Sequence, residues 1–140
     1  MNNLQIFNNG IFGDIRAIMI DEEPWFLGRD VATVLGYKNV SDALKTHIDK
    51  EDSKTLKFRD YRDSRLSNLW GENDFKDKLL INESGLYDLI FGSDLDSAKV
   101  FRKWVTSEVL PTLRRSGCYI GESATQETID YQAKFAMRRI

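Results

Sequence analysis

Residues 28–48, "GRDVATVLGYKNVSDALKTHI", mark the place where the apolar period of the chain changes from that of strands to that of helices. Val31, Val34 and Leu35 recur at helical spacing. Gly28 can stand at the N-cap and Gly36 can supply a left-handed stop, which predicts a short helix over 29–35. "YKNV" then reads as a turn, and Ser41 is placed to cap a second helix, "SDALKTHI". Its Ala43, Leu44 and Ile48, with Val40 before the cap, can face the first helix. Two short helices joined by a tight turn have the spacing of a helix-turn-helix, and the second would hold Ser41, Asp42, Lys45, Thr46 and His47 outward. Hydroxyl and ammonium groups of this kind reach base edges and phosphates. Short helical hairpins also occur in proteins that never touch DNA, so support must come from elsewhere in the chain.

Upstream, "LQIF" (4–7), "IRAIMI" (15–20) and "WFLG" (25–28) are aromatic and branched. They are separated by the turn compositions Asn8-Asn9-Gly10 and Asp21-Glu22-Glu23-Pro24, which predicts a small antiparallel sheet. Downstream, "TLKF" (55–58) and "KLLIN" (78–82) read as strands flanking a long polar stretch, 59–77, as in a hairpin or wing, with Trp70 pinning the loop to the body. Asn82 or Ser84 can cap "ESGLYDLIFG", where Leu86, Leu89 and Ile90 form an apolar stripe that Gly92 ends. A longer helix is predicted from about 94–96, because Phe101, Val105, Val109 and Leu113 step by four. Pro111 should kink or restart it near 109–110, and Arg114 and Arg115 would lie at its negative end before Gly117. The fold class predicted is α+β: a small antiparallel sheet with a helix-turn-helix-like pair and C-terminal helices.

A composition 41% hydrophobic and 30% charged belongs to a soluble globular protein, and no window approaches the roughly 18 apolar residues of a membrane span. Met1–Gly10 lacks a basic patch followed by an apolar run, so a cytoplasmic protein with no membrane contact is expected. The lone cysteine, Cys118, allows no internal disulfide, and the lone histidine, His47, lacks partners for a transition metal. With no phosphate-binding glycine loop, no HExxH and no plausible triad, neither an enzyme nor a cofactor is expected.

The total charge of −2 conceals a segregated distribution. Residues 54–65 carry Lys54, Lys57, Arg59, Arg62 and Arg65, for a net +3, and residues 99–115 carry Lys99, Arg102, Lys103, Arg114 and Arg115, for a net +4. Between them, residues 71–98 hold a net −5. A chain of this kind can present a basic face despite a negative total.

"WFLGRDVATVLGYKNVSDALKTHID" (25–49) and "LLINESGLYDLIFGSDLDSAKVFRKWVTSEVLPTLRRSGCY" (79–119), at this separation, resemble the N-terminal domain of the BRO family, Bro-N, found also in prophage antirepressors. The resemblance spans 4–119, and the pairing of "INESGLY" with "WVTSEVLPTLR" is its most specific part. It implies a DNA-binding domain of phages, prophages and large DNA viruses of insects, usually followed by a variable C-terminal domain. In prophages such proteins relieve repression of lytic genes. The segment around Arg29, Lys38 and Asn39 corresponds to the family's "DVA..LGY.N" pattern; Cys118, where many members have a glycine, is a minor departure.

Two functions are carried forward. In the first, the protein is an antirepressor-type regulator that binds double-stranded DNA through Arg29, Lys38, Asn39, Ser41, Lys45, Thr46, His47, Lys54, Lys57, Arg59, Arg62, Arg65, Arg102 and Lys103. In the second, it inactivates a phage repressor protein by direct contact, its acidic stretch 72–96 meeting a basic partner, and never needs DNA. Residues 1–119 form the expected domain. Over 120–140, "GESATQ" reads as a linker and "ETIDYQAKFAMRRI" as the start of a helix leading to a missing or variable C-terminal region, a helix that could form a homodimer.

Overall fold

Alternation of apolar residues over the first 27 positions builds three antiparallel strands, β1 (Leu4–Asn9), β2 (Gly13–Ile20) and β3 (Glu23–Leu27). The two residues joining β2 to β3, Asp21 and Glu22, both take positive φ, 51° and 66°, as a tight hairpin between twisted strands demands. In the computed structural model, which describes residues 4–118, the chain then enters α1 (Gly28–Val34) and α2 (Val40–His47). It continues through β4 (Ser53–Leu56), α3 (Phe58–Tyr61), a 3₁₀ turn at Arg65–Leu69 and β5 (Lys78–Ile81). It ends in α4 (Glu83–Gly92), α5 (Ala98–Trp104) and α6 (Leu110–Cys118), the last two joined by a π-helical turn at Val105–Val109. Every pairing in the five-stranded sheet, ordered β1-β2-β3-β5-β4, is antiparallel. The α+β class and the helix-turn-helix-like pair read from the sequence are both present.

Because strand side chains alternate between faces, the sheet has two cores. Ile15, Ala17, Phe26 and Ile81 point to the face covered by α1, α2, α4 and the C-terminal helices, where Phe101, Val105, Val109 and Leu113 are fully buried. Ile18, Trp25, Leu27 and Leu80 point to the other face, where Leu56, Leu66, Leu69 and Trp70 close over them. The polar stretch 59–77 is therefore not a projecting wing. Phe58, Tyr61, Leu66, Leu69 and Trp70 are spaced so that one turn-rich segment presents an apolar underside, and burying that side is worth more than freeing the loop. Trp70 does pin it: its indole stacks near Tyr61, meets Phe58 edge-on, and donates to the Lys76 carbonyl at 2.6 Å.

Two local expectations are corrected. Asn39, not Ser41, caps α2, its Oδ1 accepting from the Asp42 amide at 3.1 Å; the helix starts two residues earlier than a serine cap would allow. Gly28 lies inside α1 rather than at its cap, in a close approach to Leu44 and Ile81 that leaves little space for a side chain. The last helix does restart at Leu110, next to Pro111, as expected, but the chain does not leave helical dihedrals to do so. Trp104, Val105 and Leu110 all keep right-handed helical dihedrals, and the widened turn at Val105–Val109 precedes the proline. A widened turn opens the i→i−4 spacing, so the proline ring meets no carbonyl in its way. Gly36 does stop α1, at φ 81°, as expected. The linker, tail helix and C-terminal dimer expected over 120–140 lie outside the described residues.

Candidate nucleic-acid interface

The geometry of α1 and α2 follows from their apolar sides. Val31, Ala32, Leu35 and Ala43 are buried against the sheet and α4, so the remaining sides of both helices face solvent. Arg29 on α1, Lys38 and Asn39 in the turn, and Ser41, Lys45 and Thr46 on α2 are all exposed. His47 is turned inward instead: its ring lies 5.4 Å from that of Tyr37 and above Gly92, where an added Cβ would stand 2.7 Å from the imidazole. Asn39 spends its side-chain oxygen on the α2 cap.

A groove of about 420 Å³ opens beside the start of α2, between Arg29 and Ser41 on one side and residues 74–79 leading into β5 on the other. Arg16, Lys76 and Lys78 line it as well, three cations that the sequence reading passed over because they lie far apart along the chain. Arg16 is clamped by Asp30. Nε and Nη2 each donate to the carboxylate at 2.9 Å, and the Arg16 backbone amide, left without a strand partner where β3 turns into α1, donates to the same Oδ2. This hydrogen-bonded pairing raises the guanidinium pKa, against the opposing effect of burial. Lys78 is likewise paired with Asp74, whose carboxyl is held below its ordinary value first by that ammonium and then by the Lys76 amide. Among the described residues Arg29, Lys38, Lys45 and Lys76 form no ion pair, so they are the cations available to an outside anion on this side.

The other expected cations are placed elsewhere. Lys54, Lys57, Arg59 and Arg62 belong to β4, α3 and their flanks, the segment that covers the opposite face of the sheet. Lys54 holds its ammonium 5.0 Å from the Trp25 ring centre, while Arg59 and Arg62 lie within 4.0 and 3.7 Å of Asp60 and Asp63. Arg65 opens the 3₁₀ turn. Arg102 is half-buried on α5 beside Tyr87, whose pKa is raised mainly by burial and secondly by Glu83. Lys103 is exposed. Arg114, expected to serve the helix end, reaches across to Glu83 on α4 at 2.6 Å. Charge that looks continuous along the sequence is thus divided among three surfaces.

No group of metal-ligating side chains occurs among the described residues, and no helix there is long and apolar enough to cross a membrane. No solved structure matches the chain. Its sequence is 35% identical to Bro-N domain-containing protein 289L of Invertebrate iridescent virus 6 over 127 residues, 85% of this chain and 28% of that protein. It is 30% identical to protein 201R of the same virus, named likewise, over 89% of this chain and 32% of that one. A Haemophilus influenzae protein whose name assigns no activity is 35% identical over 85% of this chain and 55% of its own length. The chain therefore spans about a third of the length of its viral relatives and about half that of the bacterial one. Residues 14–111, from β2 to the start of α6, match the model of the BRO family N-terminal domain. With this match over most of a sheet and helix pair arranged as described, the chain belongs to the BRO family and carries its N-terminal domain.

Proposed function

We propose that this domain binds double-stranded DNA, with α2 as the element that meets the bases, in a regulator of the antirepressor type. The observation that carries this reading is the row Ser41, Lys45 and Thr46, exposed on a short helix whose other side is buried, beside a groove flanked by Arg29 and Lys76. A hydroxyl–ammonium row on a helix docked by its back is what major-groove contact requires, and the flanking cations suit the phosphates on either side. Membership of the BRO family supports the same reading. Lys54, Lys57, Arg59 and Arg62 cover the far face of the sheet and are left out of the first contact.

The experiment is a binding titration on labelled duplex DNA at several salt concentrations. Four phosphate contacts, from Arg29, Lys38, Lys45 and Lys76, give a slope of log K against log salt of about −4. A slope near zero would exclude the DNA reading. In that event the alternative, capture of a basic repressor protein by the acidic surface that includes Asp94 and Asp96, is tested by co-purification with the repressor.

A further inference from the structure

The two ends of the sheet are built differently. β4 is short, four residues, with Lys54 inside it and Lys57 just after it, and a 3₁₀ turn at Lys50–Asp52 leads into it. Shortness and lysines are the usual protection of an edge against pairing with another chain. β1 has neither. Its six residues, "LQIFNN", pair with β2 without a bulge from Leu4↔Ile18 to Asn9↔Gly13 and carry no charge and no proline. Among the described residues no strand lies on its outer side. Every second residue of such a strand turns its N–H and C=O outward, away from β2. Ile6 lies at mid-strand and is 63% exposed, although the strand residues beside it on the same face, Leu4 and Ile18, are packed into the second core.

We propose that β1 is a self-association edge: two copies of the chain pair β1 against β1, antiparallel, about a twofold axis perpendicular to the sheet. An antiparallel pair sets residues of the same face opposite each other, so the register must match residues of equal parity. Centring it on the strand places Ile6 against Ile6 of the second copy, with Leu4 opposite Asn8 and Gln5 opposite Phe7. No like charges meet in this register, because the strand has none. The exposed isoleucine is covered by its own copy, and the outward backbone groups find partners. Each five-stranded sheet becomes half of a continuous ten-stranded one, the isologous closure that a twofold axis provides. β1 lies outside residues 14–111, so this pairing does not follow from the family match.

The test is sedimentation of the full chain over about 1 to about 100 μM, the range in which an interface of modest area saturates. The mass should rise to twice that of one chain. Ile6→Lys puts two ammonium groups on the axis and should abolish the rise, with an unchanged circular dichroism spectrum showing that the fold survives. Ile6→Cys, in a chain carrying Cys118→Ser, should give a disulfide-linked dimer on mild oxidation. A chain that stays monomeric throughout the series overturns the proposal, and so does a dimer that persists undiminished in Ile6→Lys, whose contact would then lie elsewhere.

Discussion

At the scale of the residue, the same side-chain type takes different work from its neighbours. Lys45 and Thr46 are exposed on α2 with no ion-pair partner among the described residues, so their replacement disturbs no packing. Lys45→Ala with Thr46→Ala is expected to weaken binding to a preferred DNA sequence by roughly 1–3 kcal/mol. Thermal stability should stay within about 0.5 kcal/mol, measured by melting alongside the binding titration. Lys78 differs in being paired. Its hydrogen bond depresses the Asp74 pKa, so the stabilisation this carboxylate contributes is complete above the ordinary aspartate range. It is lost as pH falls through the depressed value. Carboxyl-carbon NMR should place the Asp74 midpoint below that of a free aspartate, and Lys78→Met should move it upward. The shift will be partial, because the Lys76 amide still donates to Asp74 at 3.1 Å. An unmoved midpoint would assign the whole effect to the amide.

At the scale of the element, the segment from α3 to Trp70 is where composition and structure part most clearly. Its arginines and aspartates make it polar on average, yet its apolar residues meet the sheet together. Trp70→Ala removes the contacts to Phe58 and Tyr61 and the bond to the Lys76 carbonyl. A cost of about 3–5 kcal/mol is expected in urea unfolding, the range for truncating a buried aromatic residue. Because Lys76 lines the groove, the same change should also lower DNA affinity. A binding loss without a stability loss would show that the segment is not the packed cover described above.

At the scale of the whole molecule, the prediction concerns the division of charge between the groove beside α2 and the β4–α3 segment. Arg29→Ala with Lys76→Ala should flatten the salt dependence of DNA binding by about 2 in slope, on preferred and random sequences alike. Arg59→Ala with Arg62→Ala should leave the slope unchanged, although it removes the same number of charges. Equal effects from both pairs would mean that DNA wraps the domain rather than meeting one side. Salt titrations of the two double variants, run in parallel, decide this.

What the sequence by itself determined were the features set by near neighbours. The strand alternation over 4–27, the helical spacing of Val31, Val34 and Leu35, the Gly36 stop and a cap for α4 at Asn82 or Ser84, of which Asn82 serves, each depend on residues within a turn of one another, and each was legible to that extent. The family resemblance came from the same local patterns and gave the domain its kinship, while the individual contact residues remained a proposal. Only the tertiary structure decided which charges share a surface. Arg16, Arg29 and Lys76 line one groove from positions 13 and 47 residues apart, whereas Lys54 to Arg62, adjacent to the eye, are carried to the far face of the sheet. The course of the 59–77 segment, whose Leu66, Leu69 and Trp70 close over the second face of the sheet, was likewise decided by packing. The physical reason is common to all of these. Helix and strand periods are written in short-range spacing, but the placement of a charge or the course of a turn depends on which apolar sides are buried together, and that is a property of the folded whole.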